Sequence, residues 1–247
     1  MRPVVKPQPG AVVQLRDGST DVVATTYNDY KDSKPLLEGA LGDFCSYCED
    51  AFNQARDLHV EHVQPKGLPQ YAHLETQWSN FLLSCQTCNG RDNKDTKNVV
   101  LADYHLPHLN NTYMSLTYMA GGVVEANKKL TGLSYQHAEA LLKLVGLEKS
   151  PATSRPGDKR WLKRREDWDL AKKYHAKYQS GKADEDTIVD LVAKGGGWSI
   201  WFTVFKGEDA VLQRLISDIK GTCAACFDPQ NHYEPIERNP QNNTDPV

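Results

Sequence analysis

Two C-x2-C pairs, Cys45-Ser-Tyr-Cys48 and Cys85-Gln-Thr-Cys88, constrain this chain more than any other feature. Four thiols in two short knuckles are the donor set of a closed tetrahedral zinc site. Such a site is saturated by protein, so it holds a fold together and does no chemistry itself. The chain between the knuckles must therefore leave and return. Loop closure costs only about 0.6 kcal/mol per doubling of length, so the knuckles can clamp a whole ββ unit. No apolar run approaches the roughly 20 residues of a membrane span. The start, Met1-Arg-Pro-Val-Val-Lys, has no signal-peptide apolar core. The expected location is cytoplasmic, where thiols stay reduced and paired cysteines act as metal ligands.

The segment between the knuckles carries chemistry-bearing side chains. Leu58-His-Val-Glu-His-Val63 alternates like a strand and is ended by Pro65 and Gly67. Alternation places His59 and Glu61 on one face, and Val60 and His62 on the other. A neutral imidazole titrates near pH 7 and can take a proton from water, which suits His62. A carboxylate and a carboxamide suit a hard, oxygen-loving cation, which points to Glu61 and an Asn. Together these are the parts of a metal-dependent phosphodiesterase.

The arrangement C-x2-C … E-H-x-x-P-K … W-x-N-F-L-L … C-x2-C-N over residues 45 to about 97 resembles the HNH endonuclease family, the ββα-metal nucleases. The resemblance places the general base at His62 and the carboxylate metal ligand at Glu61. It places the loop-bracing Asn at Asn80 and the last metal ligand at Asn89. Mg²⁺ or Mn²⁺ is the implied catalytic ion, and Zn²⁺ the structural one on Cys45, Cys48, Cys85 and Cys88. Many relatives carry Lys three residues after the last ligand, where this chain has Asp92. His59, Arg91, Asn93 and Lys94 are auxiliary candidates, with Asn93 expected on the same helical face as Asn89. Beyond the module the chain resembles the HNH subunit of the Septu anti-phage defence system and its retron-associated relatives. That likeness implies an SMC-like ATPase partner.

The expected fold is α+β: a small zinc-braced ββα-metal HNH module followed by a mainly α-helical domain. Residues 1–40 read as an arm with a short helix, 41–103 as the nuclease module, 104–227 as a hairpin and helical partner-binding domain, and 228–247 as a flexible tail rich in Pro and Asn. Helices are expected at Leu36–Phe44, Tyr135–Val145, from Asp158 to about Tyr178, over Asp184–Lys194 and over Glu208–Lys220. Thr112–Met119 and Val123–Ala126 read as a hairpin around Gly121-Gly122.

The formal net charge is −3. A nucleic-acid substrate would therefore be met through a local patch, a metal ion or a partner. Arg160, Lys163, Arg164 and Arg165 lie in a basic stretch with interleaved aromatics and are the candidate phosphate patch. The alternative is a solvated helix with its aromatics packed inward. Trp198–Phe205 reads as helical core or as a surface buried by a partner. Cys223-Ala-Ala-Cys226 reads as two small buried thiols. His105-Leu-Pro-His108, with no nearby carboxylate except Asp103, reads as a loop. The expected function is endonucleolytic cleavage, of DNA, in anti-phage defence. An RNase of the same mechanism and a silent zinc module that binds nucleic acid or scaffolds a complex are the rivals.

Overall fold

Residues 1–52 and 57–247 are described by the computed structural model. The chain opens with a hairpin, β1 (Val12–Gln14) and β2 (Thr20–Val22), followed by helix α1 (Lys34–Leu41). Pro35 in its first turn has no N–H to waste, and Gly42, at φ 76°, ends it. The chain then turns through the first knuckle, which an isolated bridge between Phe44 and Ala51 closes.

Strand β3 (Leu58–His62) pairs antiparallel with β4 (Phe81–Cys85). The register sets Leu58 opposite Cys85 and His62 opposite Phe81. The strand pair thus begins at the second knuckle and delivers His62 to its far end. Every residue of β4 is buried, as expected of a strand covered on both faces. The short helix α2 (Gln86–Asn89) follows at once and completes a ββα unit.

A one-turn helix α3 (Thr112–Ser115) leads into the hairpin β5 (Leu116–Met119) and β6 (Val123–Ala126). The expected strand over 112–119 is therefore half helix, because Asn111 is held by its own side chain to the carbonyls of Cys226 and Ile236. Five longer helices follow: α4 (Gly132–Val145), α5 (Arg160–Gln179), α6 (Glu185–Gly195), α7 (Trp198–Val204) and α8 (Asp209–Asp218). The Asp184 carboxylate accepts from the Thr187 N–H at 2.9 Å and caps α6. A last two-residue ladder joins β7 (Phe227–Asp228) and β8 (Glu234–Pro235).

Packing decides one open alternative and corrects two expectations. Trp198, Trp201, Phe202 and Phe205 are at most 3% exposed and stack on one another within the chain, so this run is core and offers no partner surface. The basic patch is dismantled. Arg160 donates to the carbonyls of Val145 and Gly146, Arg164 to those of Gly122 and Leu147, and Lys163 to Gly195 and Asp167; Arg165 alone of the four is exposed. These cations satisfy the carbonyl ends left by neighbouring elements instead of facing solvent. The segment 228–247 is not loose: Asp245 and Val247 are buried, and Arg238 donates to the carbonyls of Pro107 and Val4. Polar anchors hold it where apolar residues are scarce.

Candidate active site and metal centre

The two knuckles converge. All four cysteines are free and buried, and their sulfurs lie within 4.8 Å of one another. Cys48 Sγ and Cys85 Sγ are 3.7 Å apart. Zinc–sulfur bonds of 2.3 Å in a tetrahedron put sulfurs roughly 3.8 Å apart, so the group is dimensioned for zinc. Burial pushes the Cys45 thiol up, but hydrogen bonds from Cys48, Cys85 and Cys88 outweigh it and hold that thiol well below its usual value. Arg160 Nη1 approaches Cys88 Sγ at 3.2 Å, so a cation from α5 faces the sulfur cluster. The first knuckle turns at Glu49, a non-glycine residue at φ 67°. Its buried carboxylate accepts from the Ser199 N–H at 2.9 Å and the Ser199 hydroxyl at 2.6 Å, which ties the knuckle to α7. Sequence alone offered no signal for Arg160 or Glu49 in these roles.

At the other end of β3, His62 is 9% exposed. Its ring meets Tyr30 and Phe81 edge-on, with centroids at 4.8 and 5.2 Å. His62 Nε2 lies 2.8 Å from the Glu75 carbonyl oxygen. A carbonyl can only accept, so Nε2 carries the proton and the neutral ring leaves Nδ1 as its basic nitrogen. Burial lowers the imidazole below its ordinary value and favours that neutral form. Lys66 pairs with Glu75 Oε1 at 2.6 Å and lies 4.0 Å over the Tyr30 ring. Tyr30 and Glu75 escaped sequence reasoning, because nothing in their spacing links them to His62.

Asn80 Oδ1 accepts from the Gln64 N–H at 2.8 Å, and its Nδ2 donates to the Gln64 carbonyl at 2.9 Å. One carboxamide thus reads both polar groups of the turn that follows His62. Glu61 points to the opposite side and is fully buried. Its Oε1 pairs with Lys94 Nζ at 2.6 Å and receives the Tyr47 hydroxyl at 3.4 Å. Lys94 also donates to the His62 carbonyl at 2.7 Å, so one ammonium links both residues of the pair. Glu61 Oε2 has no hydrogen-bond partner among the described residues. Burial raises the Glu61 carboxyl above its usual range, with Lys94 pulling it back down.

Of the other candidates, Asn89 ends α2 and is half-buried, while Arg91 is exposed. Asn93 is not on the face of Asn89, because Gly90 leaves the helix in an extended conformation. Its side chain donates to the Thr87 carbonyl at 2.6 Å and accepts from Lys149 at 2.6 Å, which commits it to structure. His59 is exposed on β3 and lines a cleft of about 670 Å³ with Gln86, Thr87, Lys159 and Lys163.

Whether these residues suit a divalent cation is answered by Glu61. A buried carboxylate oxygen without a hydrogen-bond partner is costly unless something positive meets it. A carboxylate oxygen and the carboxamide oxygen of Asn89 are the donors that hard cations take. The donor chemistry therefore fits.

Residues 45–95 match the family model described as HNH endonuclease. The chain is also similar to the Septu protein PtuB of Bacillus mycoides (strain KBAB4), at 35% identity over 82 residues. That alignment covers 28% of this chain and 28% of the relative.

Proposed function

We propose, from the HNH endonuclease segment at residues 45–95 as premise, that this chain hydrolyses phosphodiester bonds in a metal-dependent reaction, with DNA as substrate, in anti-phage defence. The observation that carries the reading is the hydrogen bond from His62 Nε2 to the Glu75 carbonyl. It leaves Nδ1 free to take a proton from the attacking water, and burial keeps the ring in the form that can do so. Asn80 holds the turn after His62 rigid and so fixes where the water must stand. Glu61 and Asn89 would hold Mg²⁺ or Mn²⁺, which supplies Lewis-acid charge to the scissile phosphate. Lys94, already on Glu61 Oε1, balances the buried carboxylate, and the unpartnered Oε2 is the oxygen that would be left for the cation. The four cysteines would hold a structural zinc, which would fix the start of β3 and the end of β4.

The partner we propose is an SMC-like ATPase, on the resemblance to Septu subunits. A net charge of −3 supports the subunit reading, since nucleic-acid affinity rests largely on phosphate neutralisation by Lys and Arg. The test is plasmid and RNA cleavage by the full chain with and without that ATPase, in Mg²⁺ and in EDTA. His62→Ala should lower the rate by about 10²–10⁴ while zinc content and fold are kept. Wild-type turnover by that variant sinks the assignment. RNA cleaved in place of DNA replaces the substrate, and no cleavage of either leaves the zinc-scaffold reading.

A further inference from the structure

Outside the nuclease segment, three distant stretches of chain meet at a second set of ligand-type side chains. His105 comes from the loop before α3, His137 from α4 and Asp245 from the segment after β8. His105 is fully buried, Asp245 is 8% exposed, and the His137 side chain is 14% exposed. One ligand atom from each lies within 4.8 Å of the other two. His105 Nε2 is 2.8 Å from Asp245 Oδ1, and His137 Nδ1 is 2.5 Å from Oδ2. The Ser134 hydroxyl donates to Oδ1 at 2.7 Å. The carboxylate that His105-Leu-Pro-His108 lacked in sequence is thus supplied from 140 positions away.

We propose that His105, His137 and Asp245 form a second zinc site, separate from the four cysteines, which staples the 236–247 segment onto α4. Two imidazoles and a carboxylate form a zinc donor set with one position left for water or the Ser134 hydroxyl. Ligand atoms about 2.0–2.2 Å from one ion lie roughly 3.3–3.6 Å apart, and the three present here already lie within 4.8 Å of one another.

What separates a metal site from an ordinary hydrogen-bonded trio is the surroundings of His105. Its outer nitrogen, Nδ1, lies 2.8 Å from the Ser115 hydroxyl. A hydroxyl can donate or accept. When a metal takes Nε2, the ring proton moves to Nδ1 and the Ser115 contact survives with its direction reversed. Metal-bound histidines almost always donate their other N–H in this way, and here the acceptor is already in place. For His137 the proton moves from Nδ1 to Nε2, on a ring that is partly exposed. Neither imidazole releases a proton, and Asp245 remains a carboxylate, so binding adds a dication to a buried anion. The 236–247 segment gains most from this, because it carries few apolar side chains and Ile236 is 42% exposed.

The test is zinc stoichiometry of the full chain by elemental analysis, followed by zinc titration of protein stripped of metal. The wild type should take up two zinc per chain. His137→Gln and Asp245→Asn should take up one, with the helical circular-dichroism spectrum kept. Zinc beyond the first equivalent should raise the Tm of the wild type and leave both variants unchanged. Cobalt substitution gives a second readout: the second equivalent should add visible bands without thiolate charge transfer, and these should be missing in His137→Gln. Saturation of the wild type at one equivalent overturns the proposal. So does a second zinc retained by both variants, because its ligands then lie elsewhere. Nuclease activity should be the same in His137→Gln and wild type.

Discussion

Glu61 and Lys94 show how a side chain five residues beyond the knuckle-bearing helix can decide the state of a buried acid. Both are at most 1% exposed, and their contact is 2.6 Å. Removing one member of such a pair leaves the other charged and unpaired in the interior, which costs about 3–5 kcal/mol. Lys94→Met should therefore destabilise the chain by that order in urea unfolding. Glu61→Gln in the same background should recover part of the loss, because the buried charge is gone. Equal and additive losses in the two single variants and the double variant would show that the pair does not couple. The sequence marked both residues as site candidates, but not their contact. On the alternating strand Glu61 could have faced solvent, and only the buried sulfur cluster and Tyr47 on that side make a lysine counter-charge necessary.

At the scale of elements, the run Gly195-Gly196-Gly197 does more than stop α6. Gly196 pairs with Asp50 of the first knuckle, and Gly197 donates to the Glu49 carbonyl at 3.1 Å. A Cβ on Gly196 would lie 2.2 Å from the Glu49 carbonyl oxygen, at a backbone φ of 80°. Gly196→Ala thus meets both backbone strain and a backbone clash, and should cost at least about 1 kcal/mol. The loss is read as a lowered denaturant midpoint. If the knuckle docks through this approach, zinc should also leave the variant faster in a chelator competition. A variant as stable as the wild type would mean that the contact between α6 and the knuckle is dispensable. Glycine repeats signal a helix end in any sequence; that this one is also a docking surface depends on a partner almost 150 residues away.

Across the whole molecule, His108 lies where three separate parts of the chain meet. It lines one cavity with Lys6 of the arm and Arg238 of the 228–247 segment, and its Nδ1 is buried without a hydrogen-bond partner among the described residues. Burial pushes the imidazole down to about 3, and the positive charges of Lys6 and Arg238 act in the same direction. Below the ordinary value of 6.5 the unfolded chain binds a proton that the folded chain refuses, so stability falls as pH drops from 6.5 towards 3. The slope contributed by one full proton is about 1.4 kcal/mol per pH unit. His108→Gln should flatten this acid decline relative to wild type and leave the difference between the two constant above pH 6.5. Protonation of the four thiols in acid would act on both proteins alike, so the comparison is between their slopes. Parallel slopes from pH 6.5 to 4 would remove His108 from the acid response.

By itself the sequence determined what depends on local order. Knuckle spacing, strand alternation through Glu61-His62 and the apolar periodicity of α4, α6 and α8 are short-range patterns, and the structure reproduces each within a few residues. The ββα order of residues 58–89 was legible for the same reason. Tertiary structure alone decided which polar groups were used up inside. Arg160 and Arg164 read as a phosphate patch until the carbonyls of Val145, Gly146, Gly122 and Leu147 claimed them. Trp198–Phe205 read equally as core or interface until its rings packed on α5 and on Phe227. Asp245 lay in an unremarkable Pro/Asn segment until the fold set it between two histidines. A charge or hydrogen-bonding group carries no mark in sequence of the partner it will meet, because that partner is supplied by chain far away, and burial enforces the pairing only after the chain has folded.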